Sequence, residues 1–141
     1  MRGTTHGSTD GHRIPNAKTF KSGKPKSWHI QDDSVRAICK ALDKSWEESY
    51  RLLDNVAINN FTIINDKDVV DSILTDFKFK YVTHGKPKSG EKRPTIADFV
   101  ETHKHGTYVA YLRDYYVTIV DGILYDVNNH DNEVVYSYWT K

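Results

Sequence analysis

The sequence predicts an α+β domain, and three observations carry that reading. Before Gly106 apolar residues recur mostly at helical spacing. From Gly106 onward they fall instead into short runs rich in Val, Ile and Tyr. Between two of those runs stands Asp121-Gly122, a strong signal for a two-residue hairpin turn. Helices that come first and strands that come last point to N-terminal helices packed on a C-terminal antiparallel sheet, a meander, rather than to alternating βαβ units.

The elements follow in order. Val35, Ile38, Cys39 and Leu42 fall at i, i+3, i+4 and i+7, one apolar stripe on a helix. Asp33 suits the N-cap by residue type, which leaves Ser34 in the first turn. Ser45-Trp46-Glu47-Glu48 is a capping box that opens a second helix, with Trp46, Tyr50 and Leu53 marking its buried face. In "NDKDVVDSIL" Asn65 caps, Asp68 sits three residues on, and Val69 and Ile73 begin a third apolar face. "FKFKYV", residues 77–82, alternates strictly and predicts a strand. Gly and Pro make residues 83–94 a loop, after which Thr95 caps a short helix, "IADFVETH". "TYVAYL", "YYVTIV", "ILYDV" and "EVVYSYW" are the four late strands, and Arg113-Asp114 separates the first pair. No internal repeat is visible.

A chain of 141 residues can build one hydrophobic core and is too short for two domains. Its 38% hydrophobic and 28% charged residues are those of an ordinary globular protein. No window approaches the 18 consecutive apolar residues of a membrane span, so no membrane partner is expected. The first residues lack the apolar core of a signal peptide. A lone cysteine, Cys39, allows neither an internal disulfide nor a cysteine-based zinc site. Together these favour a reducing, cytoplasmic setting.

Charge divides the chain. Residues 1–28 carry six basic residues and one acid, Asp10, a net +5 on a Gly-, Ser- and Thr-rich arm. Residues 29–141, the folded domain, carry fourteen basic and eighteen acidic residues, a net −4. Such an arm either solubilises or meets nucleic acid or an acidic protein surface. A second basic run comprises Lys78, Lys80, Lys86, Lys88, Lys92 and Arg93; aromatic residues interleave only with its first part, so base stacking is not its expected use. His103 and His105 lie two apart near Asp98 and Glu101, but no second ligand cluster accompanies them, and no metal or cofactor is expected.

Several motifs stand in one order: Asp32-Asp33-Ser34 with Val35-Arg36-Ala37-Ile38, then Ser45-Trp46, Thr95-Ile96-Ala97-Asp98-Phe99, Gly106-Thr107-Tyr108, and Tyr115 with "YVTIV", Asp121-Gly122, Tyr125-Asp126 and "VVYSYW". Over roughly residues 30–139 this pattern resembles a papain-like cysteine peptidase domain of the short type common in bacteriophage and bacterial genomes. The resemblance implies a nucleophile at Ser34, a histidine base at Tyr115 and an orienting carboxylate at Asp126. Only the last is of the family's type. In such an enzyme the helix dipole and a neighbouring imidazolium lower the thiol's pKa, and the imidazole is the general base.

A serine hydroxyl needs a base, and a phenol with an ordinary pKa of about 10 is protonated at neutral pH. The resemblance therefore implies a degenerate, catalytically inactive domain that serves as a protein-binding module. Its contact surface would be the former cleft at Ser34, Tyr115, Tyr116 and Asp126, with Lys86, Lys88, Lys92 and Arg93 steering an acidic host or viral partner. A phage protein of this kind would be a host-takeover or anti-defence factor in the host cytoplasm, or a minor virion component. Two alternatives stand beside it. His130 or His29 could replace the missing base and leave an active hydrolase using Ser34, or the arm at 1–28 could bind nucleic acid. A histidine nitrogen within about 3.2 Å of the Ser34 hydroxyl would mark the enzyme. Cys39, on the apolar stripe, is expected to be a packing residue.

Overall fold

A computed structural model of the chain describes residues 5–6, 32–83, 85–125 and 131–141. Helices α1 (Asp33–Leu42), α2 (Trp46–Asn59) and α3 (Lys67–Asp76) precede strand β2 (Lys80–Thr83), the short helix α4 (Ile96–Thr102) and strands β3 (Thr107–Leu112), β4 (Tyr115–Val120), β5 (Ile123–Tyr125) and β6 (Ser137–Thr140). Ahead of them, Thr5–His6 forms a two-residue strand, β1. The α+β class is as expected. Apart from Thr5 and His6, the arm at 1–28 lies outside the described residues, as do His29, Asp126 and His130.

The helix starts show which side chains were free to cap. Ser45 Oγ accepts from Glu48 N–H at 3.0 Å while Glu48 Oε1 accepts from Ser45 N–H at 3.0 Å, the reciprocal pair of a capping box. Thr95 and Asp98 close a second box at α4. At α1 the N-cap is Asp32, one residue earlier than residue type suggested, and no side chain caps it, because the Asp32 carboxylate is turned to Arg36. At α3 the cap is Asp66, which accepts from Asp68 N–H at 2.9 Å, and not Asn65, whose amide is turned to Ser34.

The strand expected at 77–82 begins later. α3 runs through Asp76, Phe77 caps it by donating to Ile73 O, and Lys78 turns the chain at φ 70. Extended pairing therefore starts at Lys80. The sheet order is β1-β5-β4-β3-β6-β2. β3, β4 and β5 form an antiparallel meander, joined at the second turn by Asp121 at φ 50 and Gly122 at φ 79. Positive φ at both central residues is what a twisted two-residue hairpin needs. β6 does not extend the meander beyond β5. It returns to the far side of β3, antiparallel, and β2 then pairs with it from Lys80↔Thr140 to Thr83↔Ser137. β1 adds a parallel edge to β5, with Thr5 opposite Ile123.

Successive strand residues face opposite sides, and both sides are covered. Val109, Tyr116 and Trp139 pack with α1, α2 and α3 around Val35, Ile38, Cys39, Leu53, Val70 and Leu74. Ala110, Leu112, Val117, Ile119 and Leu124 pack on the other side against Ile96, Phe99 and Val100 of α4. A sheet buried on both faces explains why its strands read as apolar runs rather than as clean alternation. On α2 the inward positions are Ser49, Leu53 and Ala57. Tyr50 is instead exposed and stacks on Trp46, with ring centroids 5.3 Å apart. α1 lies along β4, where Thr118 Oγ1 donates to Ala37 O at 2.9 Å. That contact sets the N-terminus of α1 against the first residues of β4, where the candidate site lies. No helix among the described residues is long and apolar enough to cross a membrane.

Candidate functional site

The site grows from the first turn of α1. Arg36 follows Asp32 by one helical turn, and its Nε donates to Asp32 Oδ1 at 2.9 Å. The pair is buried, with Arg36 at 6% and Asp32 at 8% exposure. Trp46 Nε1 donates to the other carboxylate oxygen, Oδ2, at 3.2 Å. Arg36 Nη2 reaches across to β4 and donates to the Tyr115 hydroxyl at 2.9 Å. Burial opposes the Arg36 charge, yet Tyr115 and Asp32 outweigh it and raise its pKa above the ordinary guanidinium value. A cation therefore stands in this cleft, held between a carboxylate and a phenol. The sequence reading placed Arg36 only inside a motif and missed this role; the i, i+4 spacing from Asp32 was the signal for it.

Ser34, the second residue of α1, is 1% exposed and its Oγ donates to Asn65 Oδ1 at 2.5 Å. An amide oxygen accepts a hydrogen bond but is no base near neutral pH, so this partner holds the hydroxyl without activating it. Among the described residues no histidine contacts Ser34. His103 is packed flat on Phe99, with centroids 3.8 Å apart. The positions read as Ser34 and Tyr115 are thus on adjoining elements. Each hydroxyl has its own partner, and Tyr115 is engaged by Arg36.

Asp33 turns the other way. Its Oδ2 accepts from the Tyr116 backbone N–H at 2.9 Å, a bond that pins α1 to β4. Burial raises the Asp33 pKa from the usual carboxylate value, against the opposing pull of that N–H and of Arg36. Tyr116, named in sequence as a contact residue, is 4% exposed. Its hydroxyl donates to Asp71 Oδ1 at 3.3 Å, and burial, helped by Asp71, pushes that phenol above the ordinary range. Asp71 also accepts from Trp139 Nε1 at 3.1 Å and pairs with Lys67. Sequence reasoning left Asp71 and Lys67 unremarked, although their i, i+4 spacing is that of a helix ion pair.

Between these groups lies a pocket of about 170 Å³ lined by Asp33, Asn65, Lys67, Tyr111, Asp114 and Tyr116. Lys67 Nζ stands 5.1 Å from the centroid of the Tyr111 ring, and the Tyr111 hydroxyl meets Asp114 Oδ1 at 3.5 Å. Tyr108 and Tyr138 join Phe99 and His103 in an edge-to-face cluster, so their faces are spent in packing.

Lys86, Lys88 and Lys92 are exposed on the 83–94 loop. Arg93 is not free to steer a partner. Its Nη2 donates to Gly85 O at 2.9 Å and its guanidinium lies 4.9 Å from the Tyr136 ring centroid, which ties the loop to the body. Cys39 is fully buried and burial pushes its thiol up to about 11, the environment of a packing residue. No group of three or more His, Cys, Asp or Glu side chains among the described residues is placed to hold a metal ion. No protein-family model, no curated protein and no solved structure matches the chain.

Proposed function

We propose that this chain is a catalytically inactive papain-like domain, of the short kind found in bacteriophages and bacteria, that works in the host cytoplasm as a protein-binding module. The observation that supports it best is Ser34, buried at 1% exposure with its proton directed to an amide oxygen rather than to a base. The residues at the positions the resemblance gives to nucleophile and base, Ser34 and Tyr115, have separate partners, and Tyr115 is bonded to the buried Asp32–Arg36 pair. That network is suited to fixing a shape and not to moving a proton.

Ser34 and Tyr116 are too buried to touch a partner directly. The recognition surface is therefore the pocket beside them, where Lys67, Tyr111 and Asp114 offer a cation, a ring and a carboxylate in one opening. Lys86, Lys88 and Lys92 add favourable charge for an acidic approach, which raises the association rate more than the affinity. A phage protein built this way would bind and occupy a host factor.

Two measurements test the proposal. A fluorophosphonate probe should leave Ser34 unlabelled in folded protein; labelling abolished by Ser34→Ala would make the chain a hydrolase and end the proposal. The host protein retained by the immobilised wild type should be released by Lys67→Glu with Asp114→Lys. Retention by that variant as strong as by the wild type would move the contact elsewhere.

A further inference from the structure

The two edges of the sheet are finished differently. β5 is bordered by the chain's own β1, with Thr5 opposite Ile123. β2 stands at the other end of the strand order, paired with β6 on one side and, among the described residues, with no strand on the other. Alternate residues of such an edge turn their backbone N–H and C=O groups outward, at the spacing an extended chain matches. The strand pairs in unbroken register and includes no proline, so the edge keeps the regular geometry of a template. Lys80, Tyr81 and Thr83 are exposed along it.

This edge has two unlike faces. Tyr81 lies against Trp139, with ring centroids 5.0 Å apart, on the side of the sheet that α1, α2 and α3 cover. Lys67 stands over the Tyr81 ring but is paired with Asp71, so that face is chiefly aromatic. Alternation sends Lys80 and Val82 to the other side. Residues 78–93 hold six basic residues and one acid, Glu91, a net +5, within a domain whose net charge is −4. Lys78, Lys80, Lys86, Lys88 and Lys92 are all exposed.

We propose that β2 takes up an extended acidic segment of another protein as a further strand of the sheet, its acidic residues on the Lys80 face and its apolar residues on the Tyr81 face. Main-chain bonds supply the affinity and the lysines the choice of partner. Charge selects this occupant. Two β2 edges brought together would oppose two segments of net +5, so the lysines that guard the strand against a second copy favour an acidic chain. The chain's own residues 1–28, also net +5, carry the wrong sign. A nucleic acid would satisfy the lysines but has no row of amides and carbonyls to match the edge. The site needs neither the pocket beside Ser34 nor an inert Ser34, and so goes beyond the function proposed above.

A blocked, dye-labelled peptide of about eight residues, alternating glutamate with valine, is the probe. Fluorescence anisotropy with the full chain should show binding, with a Kd that rises at least about tenfold from low to high salt. Lys80→Glu, on an exposed position, should weaken binding at least roughly tenfold with unchanged circular dichroism. Methylating the peptide's backbone nitrogens at every glutamate, or at every valine, separates strand addition from mere charge attraction. One of these two peptides should bind like the parent and the other should fail, since only alternate N–H groups face β2. Equal behaviour of the two, no binding of the parent, or equal affinity for a single-stranded oligonucleotide of the same charge overturns the inference. So does a wild-type dimer from which the peptide is excluded, which would give the edge to a second copy.

Discussion

Exchanging Arg36 for methionine is the sharpest test of the cleft chemistry. Methionine keeps most of the volume and the unbranched stem, so the change removes charge and hydrogen bonds rather than packing. It takes away the 2.9 Å donor to Asp32 and the 2.9 Å donor to Tyr115. It also removes the cation from beside a carboxylate that is 8% exposed. Breaking a buried pair by deleting one partner costs about 3–5 kcal/mol. Domains of this size are stable by about 5–15 kcal/mol, so roughly a fifth or more of the total is at stake. At about 3 °C per kcal/mol for a chain of this length, the midpoint should fall by about 10 °C. Urea unfolding followed by tryptophan fluorescence measures the loss, and Trp46, bonded to Asp32, reports from the site itself. Adding Asp32→Asn to Arg36→Met should recover part of it, because an amide is far cheaper to bury than a lone carboxylate; the double-mutant cycle should show at least ~1 kcal/mol of coupling. A single-mutant cost below ~1 kcal/mol, or strictly additive costs, would refute the reasoning that this pair organises the cleft.

Two further outcomes are expected. Asp33 has a raised folded-state pKa, so the native state holds its proton to higher pH than the unfolded chain does, and stability should fall as pH rises from the ordinary carboxylate value through the raised one. Asp33→Asn, which keeps an oxygen for the Tyr116 N–H, should flatten that fall in urea titrations across the acidic range and gain stability at pH 7; a steeper fall in the variant would count against the burial argument. Cys39, buried with its thiol pushed up to about 11, should react with a disulfide reagent only as fast as the protein opens, so rapid stoichiometric reaction in native buffer would show the α1 core to be loose.

What could be read from sequence was mostly local chemistry. The Ser45–Glu48 box, the Thr95 cap and Asp121-Gly122 each specify their own backbone, and all three appear as expected. Where a side chain had a stronger distant partner, the local rule lost. Asp33, the expected cap of α1, lies in its first turn with its carboxylate on the Tyr116 N–H, and Asn65 gave its amide to Ser34, so neither caps as residue type alone suggests. The alternation of residues 77–82 misled because Phe77 and Phe79 are held inward by the end of α3 and not by a strand pleat. The pairing of β6 with β3 and β2 rests on contacts across dozens of residues, for which no short-range signal exists. At the site, Ser34 and Tyr115 were visible as positions. The i, i+4 pairs Asp32–Arg36 and Lys67–Asp71 were legible, but their reach to Tyr115, Tyr116 and Trp139 became visible only once α1, α3 and the sheet were seen together.

The place of β6 bears on how the chain must assemble during translation. It is made after every other strand of the sheet yet lies inside it, between β3 and β2. Until Ser137–Thr140 join the sheet, β2 lacks the strand it pairs with and the outer edge of β3 stays open. Pairing of β6 must therefore follow that of β3 with β4, and until it happens two strand edges are open to other chains.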